Sequence, residues 1–188
     1  MHQKHITEGI VLGKHGVGEA NVLVLVLTEE LGLLRAKAVS ARREDSKLRY
    51  GLETLSCGRY SFVQGKNGWR LTGADSVSRE LLSADAVRRA AAGRVTRLLL
   101  RLVQGEEASA LYATVMEGLR ALVFSEHPNA TEVVLVLRIL SRLGYLPHTP
   151  ALEPFVDGEF SVELSAKALE SRALLIRTIN ESLQASGL

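Results

Sequence analysis

The chain has 188 residues, 46% hydrophobic and 23% charged, with 23 Lys and Arg against 21 Asp and Glu for a formal net charge of +2. That balance excludes a disordered chain and allows one ordinary domain or two small ones. A near-neutral total means that any basic binding face has to be local, and Cys57, the single cysteine, excludes an internal disulfide or a multi-thiolate zinc site.

Met1 to Thr7 carries two His and a Lys before a short apolar run, with no cleavage-site pattern, so no signal peptide is expected. The apolar stretch Val133 to Leu137 is interrupted by Arg138 and Arg142 and is too short to span a bilayer. The expectation is a cytoplasmic protein without membrane contact.

Ile6 to Leu12 reads as a first strand, followed by a turn at Gly16-Val17-Gly18. Asn21 to Thr28 (NVLVLVLT) is a second strand, and its nearly continuous apolar character predicts burial on both faces. Glu29 to Gly32 makes the next turn, and Leu34 to Val39 a third strand. Strand character resumes from Leu55 to Val63, breaks at Gly65-Lys66-Asn67-Gly68 and returns from Trp69 to Thr72. The Asn-Gly pair predicts a type I′ hairpin, whose central residues both need positive φ. Short strands joined by tight turns predict a small closed barrel of the OB type, in which closure hides the strand edges.

After Asp75 glycine nearly disappears. Val87, Ala91, Val95, Leu98 and Leu102 recur at helical spacing with Ser83 as the expected N-cap. Helices are expected from about Ala108 to Phe124, after Pro128 to Gly144, and from about Ala166 to Gln184. The third is apolar on most sides, as the centre of a bundle is. Tyr145 to Gly158 holds three of the four prolines and is expected to be irregular. The whole reads as an α+β chain, a β-barrel over residues 1–78 and a helical bundle over residues 79–188, the two packing on each other.

Arg35, Lys37, Arg42, Arg43, Lys47 and Arg49 face only Glu44 and Asp45 in one stretch at the end of the third strand and the loop after it. Such a run offers a track for phosphates, and its affinity would fall with salt as counterions are released. Ser46 can add a phosphate hydrogen bond and Tyr50 a stacking surface. The plainer reading of the same charges is a solvated loop. Arg59 and Arg70, interleaved with Tyr60, Phe62 and Trp69, resemble a base-stacking face. Phe62 and Trp69 read more readily as barrel core than as a stacking face, and alternation puts Trp69 and Arg70 on opposite faces. Arg94, Arg97 and Arg101 share one helix face and can hold phosphates or an acidic partner segment, or simply cover the bundle with their stems.

Other features carry no chemistry. Gly16-Val17-Gly18 lacks the rest of a phosphate-loop or dinucleotide motif. His2, His5 and His15 have no carboxylate or thiolate companions for a metal. Cys57 reads as a small buried hydrophobe, and no nucleophile, base and acid cluster together. Neither an enzyme nor a cofactor is expected.

Glu8-Gly9-Ile10-Val11-Leu12, Gly18-Glu19-Ala20-Asn21, Leu27-Thr28 and Gly32 resemble the opening of the RecO family. Ala36-Lys37-Ala38, Ala41-Arg42-Arg43 and Ser46-Lys47 are similar to its basic segment, and Leu137 to Pro147 (LRILSRLGYLP) to its central helix and exit. The resemblance implies an N-terminal OB-fold and a helical C-terminal domain, binding to single- and double-stranded DNA, and annealing of complementary strands. It further implies partnership with RecR and single-stranded-DNA-binding protein and help in loading the RecA recombinase during repair, with no covalent step. DNA contact would then fall chiefly on Arg35, Lys37, Arg42, Arg43, Lys47 and Arg49; Arg70, among the aromatics of the later strands, is a further candidate from the residues themselves.

Two departures stand out. Many members carry a four-cysteine zinc motif where Leu146 to Leu164 here contains no Cys, so no metal is expected and a shorter connection stands in its place. Ser40 also occupies a position where that family resemblance leads one to expect glycine. Two other functions suit the residues as read: a protein-interaction adaptor whose basic loop is merely solvated, and an RNA-binding OB module.

Overall fold

The computed structural model describes residues 3–103 and 108–187; His2 lies outside them. The chain divides into two compact units, one made from the described residues of Met1–Ser83 and Thr96–Tyr112, the other from those of Ala84–Val95 and Ala113–Leu188.

The first unit contains a closed barrel of β1 (Lys4–Val17), β2 (Asn21–Thr28), β3 (Gly32–Ala38), β4 (Cys57–Gly65) and β5 (Gly68–Ser78) in the order β1-β2-β3-β5-β4. One strand closes it. The first part of β1 pairs antiparallel with β4 (Lys4↔Val63 through Ile10↔Cys57), and the later part with β2 (Gly9↔Thr28 through Val17↔Asn21). A bulge between Val11 and Gly13 lets the strand turn from one partner to the other. β3 lies parallel to β5, and the remaining pairs are antiparallel. This closed five-stranded topology is an OB-fold.

Alternation sets the interior. Val22, Val24 and Val26 of β2, Leu34 and Ala36 of β3, Tyr60 and Phe62 of β4 and Leu71 of β5 form one core with Val11 and Leu52. Each large apolar side chain buried here contributes about 1.5–3 kcal/mol. The other face of β2 is also shielded, Leu23 and Leu25 being half-buried and Leu27 buried. Burial on both faces is therefore what the apolar run encodes.

Three expectations for the barrel need correction. β1 continues through Val17, so the turn is Gly18 to Ala20 and not Gly16-Val17-Gly18. The β4–β5 hairpin turns at Lys66-Asn67 with neither residue at positive φ; the left-handed residue is Gly68 (φ 95), which fits a type I turn closed by a glycine bulge better than type I′. Cys57 opens β4 half-buried, its thiol 3.8 Å from the Leu55 carbonyl, not sealed in the core.

The helices are α1 (Glu80–Ser83), α2 (Ala86–Leu102), α3 (Ser109–Phe124), α4 (Pro128–Arg142), α5 (Glu153–Val156), α6 (Val162–Glu170) and α7 (Arg172–Ala185). Ser83 ends α1; the cap of α2 is Asp85, whose carboxylate accepts from the Arg88 backbone N–H at 2.9 Å. That bond holds the Asp85 carboxyl below its ordinary value. In the second unit α4 is buried along almost its whole length and packs against α5, α6 and α7. The expected last helix is two helices. Ser161 caps α6 by accepting from Leu164 N–H at 3.0 Å, and the chain leaves helical geometry at Ser171 (φ −90, ψ 6) before α7 begins. Periodicity spans this break because Ala168, Leu175 and Ile179 all face inward. The proline-rich connection is also less irregular than expected, since it contains α5. Among the described residues no helix is long and apolar enough to cross a membrane.

Candidate functional site

Arg35 and Lys37 alternate with the buried Leu34, Ala36 and Ala38, which forces both outward on β3. Register then adds a cation from another strand. The parallel pairing of β3 with β5 sets Lys37 directly against Arg70, and both are exposed. Arg70 in turn pairs across β4 with Val63, which pairs with Lys4 on β1. None of Arg35, Lys37 or Arg70 meets a carboxylate among the described residues. Like charges at neighbouring positions repel, so an unneutralised pair of this kind costs free energy that a bound polyanion recovers.

The loop cations divide into two groups. Arg42 turns back to the β1–β2 turn: its backbone N–H donates to the Ala20 carbonyl at 3.0 Å and its Nη1 to the Gly18 carbonyl at 3.3 Å. Arg49 sits on a short 3-10 turn (Arg49–Gly51) and borders the same cleft as Arg42. Arg43 is paired with Asp45 at 3.2 Å; both side chains are largely exposed, so the pair contributes about 0–1 kcal/mol and yields readily to a stronger anion. Lys47 is exposed without an acidic partner among the described residues. Tyr50 is 63% exposed and carries the Arg79 guanidinium 5.7 Å from its ring centroid.

The aromatic face does not form. Tyr60 and Phe62 are fully buried, the Tyr60 hydroxyl lying 3.0 Å from the Gly51 carbonyl and 3.2 Å from that of Ser56. Trp69 is half-buried with its ring edge-on to Phe62 and His5, on the face opposite Arg70 as alternation requires. Arg59 pairs with Glu8, its direct register partner, at 3.1 Å. These strands offer cations but no stacking platform.

The helix arginines separate as well. Arg94 makes a two-pronged pair with Glu132, Nε to Oε1 at 2.6 Å and Nη2 to Oε2 at 2.5 Å. That hydrogen-bonding raises its pKa further and occupies the guanidinium fork. Arg97 and Arg101 are exposed. Among the described residues no group of three or more His, Cys, Asp or Glu is placed to hold a metal ion.

Sequence reasoning missed Lys14, which faces Glu53 at 2.8 Å on the rim of the Arg42–Arg49 cleft. Its signal was its place, an outward cation just before the β1–β2 turn, but only folding brings the loop to it.

Residues 1–79 match the family model described as Recombination protein O N terminal. Over 74% of its length the chain is 34% identical to the DNA repair protein RecO of Heliobacterium modesticaldum, covering 51% of that protein. It is 32% identical to the DNA repair protein RecO of a Nocardioides species over 74% of this chain and 59% of that one. A Roseiflexus relative of the same name is 32% identical over 75% of this chain and 50% of its own. The chain thus spans about half the length of the curated relatives it matches. With an OB barrel that answers to this family's N-terminal model and identity that continues beyond the barrel, the chain belongs to the RecO family.

Proposed function

We propose that this chain is a DNA-binding recombination mediator. It binds single- and double-stranded DNA, anneals complementary strands, and assists RecA loading in recombinational repair together with RecR-like and single-stranded-DNA-binding proteins, acting in the cytoplasm without covalent chemistry. The relatives carry the name DNA repair protein, which supports the repair setting. The observation that carries the reading is the juxtaposition of Lys37 and Arg70 beside Arg35, exposed and without acidic partners among the described residues. β3 and the β4–β5 turn belong to the surface that OB barrels offer to oligonucleotides. From there the track continues through Arg42, Arg43, Lys47 and Arg49. Arg97 and Arg101 are secondary contacts, and Arg94 contributes least because Glu132 already holds it.

The chemistry is phosphate neutralisation. Each cation engaged on a single strand contributes about −0.7 to the slope of log affinity against log salt. Anisotropy of a labelled oligo-dT across a salt series tests this: Arg35→Ala, Lys37→Ala and Arg70→Ala should each flatten the slope by about that amount. Salt-independent binding, or slopes unmoved in all three variants, refutes the interface. Annealing is read separately, as acceleration of pairing between complementary strands. Tighter binding to RNA of equal length would replace DNA with RNA as the ligand.

A further inference from the structure

A cleft of about 320 Å³ opens on the barrel between β1, the start of β2 and the segment after β3. Val22, Ala41 and Leu52 are its buried apolar lining; Lys14, Arg42, Arg49 and Glu53 supply its charge. Three cations thus face one carboxylate over a low-dielectric floor, an arrangement that concentrates positive potential. At the roughly 30 Å³ each water occupies in the liquid, there is room for a phosphate ester and several waters.

Two details make this more than a basic patch. Arg42 is moored at both ends to the β1–β2 turn, by its backbone N–H and by Nη1, which leaves its other guanidinium donors free and fixed in place. Glycine at position 16 makes room for it, since a Cβ there would stand 3.2 Å from Nη1. Lys14, by contrast, is held among the described residues only by Glu53, and both side chains are partly exposed (34% and 48%). Such pairs contribute little net stability and exchange readily.

We propose that this cleft is a phosphate seat in which Arg42 forms the fixed wall, Arg49 adds a second cation, and Lys14 transfers from Glu53 to the incoming phosphate. Glu53 is its internal competitor. The proposal rests on the DNA-binding reading for its biological ligand, but the seat is testable without DNA.

The full chain is titrated with inorganic phosphate while the backbone amides of Ala41, Arg42 and Arg49 are followed by NMR. Saturable shifts are expected there, with Lys14→Ala weakening binding about three- to ten-fold and Glu53→Gln tightening it by a similar factor. The gain from Glu53→Gln should shrink in the Lys14→Ala background, because part of it comes from freeing Lys14. Absence of saturable shifts, or a gain that survives undiminished in that background, overturns the proposal. Oligo-dT with a 5′-phosphate and with a 5′-hydroxyl separates the two sources of the group. Preference for the 5′-phosphate supports a strand end as occupant, and equal affinities both reduced by Lys14→Ala support an internal phosphodiester. Oligonucleotides that bind but ignore Lys14→Ala overturn the seat while leaving the β3–β5 interface standing. Phosphate that saturates the cleft of a chain that binds no DNA leaves the seat and removes the functional reading.

Discussion

Arg138 is the most informative position at which to perturb the helical unit. It lies in the middle of α4 and is 4% exposed. Its Nε donates to the Phe155 carbonyl at 3.1 Å and its Nη2 to the Asp157 carbonyl at 3.3 Å, while its guanidinium carbon stands 4.0 Å from the Phe160 ring centroid. Glu117, half-exposed and 3.9 Å away, is too distant for a hydrogen bond. Burial pushes the guanidinium pKa down, yet an arginine stays charged at any ordinary pH. One side chain therefore ties the cysteine-free connection around α5 to the central helix. Replacing it by Ala or Met abandons two charge-assisted hydrogen bonds of about 1.5–3 kcal/mol each and leaves the carbonyl of the buried Phe155 unpaired. Part of that is recovered by relaxation and water, so the net cost should be about 3–5 kcal/mol. With a urea m-value near 2 kcal/mol/M, the unfolding midpoint followed by ellipticity at 222 nm should fall by about 2 M. Lys, which reaches one carbonyl at most, should fall in between. A drop below about 0.5 M for Ala, or a Met variant equal to the parent, would show that Arg138 only fills space.

Gly118 faces Leu135 so closely that an added Cβ would lie 2.3 Å from Cδ1, and Leu135 is fully buried; Gly118→Ala should therefore cost about 1–3 kcal/mol in the same assay. Shortening the neighbour with Leu135→Val should recover part of that loss, and additive effects would refute the clash. Tyr60→Phe removes the hydroxyl that serves the Gly51 and Ser56 carbonyls and should cost about 1–2 kcal/mol at neutral pH. Burial above all, with Cys57, Tyr112 and Glu8 nearby, raises the Tyr60 phenol, so its contribution is complete below the unfolded value near 10 and declines as pH rises past it. The gap between parent and variant midpoints should narrow from pH 8 to pH 11, and a constant gap would show that the hydroxyl titrates freely.

The barrel was legible because alternation in a strand states directly which residues face inward: Val22, Val24 and Val26 on β2, and Tyr60 and Phe62 on β4. What alternation cannot state is pairing. β1 is twice as long as its signal suggests because it serves two neighbours across a bulge, and nothing local marks that. The positions of the cations were legible too, but their neutralisation was not. Arg94 meets Glu132, Arg59 meets Glu8 and Lys14 meets Glu53, each pair brought together by tertiary packing. The same blindness hid the one favourable surprise, since the juxtaposition of Lys37 and Arg70 depends on a parallel pairing between strands distant in sequence. Likewise the break at Ser171 leaves no trace in the apolar pattern, because both helices bury the same face.

Ser40 connects sequence, strain and site most directly. Glycine was expected at this position, and the backbone explains why: Ser40 has φ 55, in the left-handed region that costs an L-residue about 1–2 kcal/mol. The conformation survives because the Ser40 N–H donates to the Asn21 side-chain oxygen at 3.0 Å and its carbonyl accepts from Arg43 N–H at 3.2 Å. These bonds fix how the chain leaves β3 and hence where Arg42 and Arg43 begin. Ser40→Gly should relieve the strain and, after the extra unfolded-state entropy of glycine, stabilise the protein by about 0.5–1 kcal/mol. Oligonucleotide affinity should not change, because the loop geometry is already that of a glycine. Asn21→Ala should do the reverse, costing about 1–3 kcal/mol by orphaning the Ser40 N–H and releasing the start of the basic loop. Urea midpoints and anisotropy on the same two variants decide the matter. If Ser40→Gly is destabilising, or if it alters binding while Asn21→Ala does not, the loop is not held in the way its hydrogen bonds indicate.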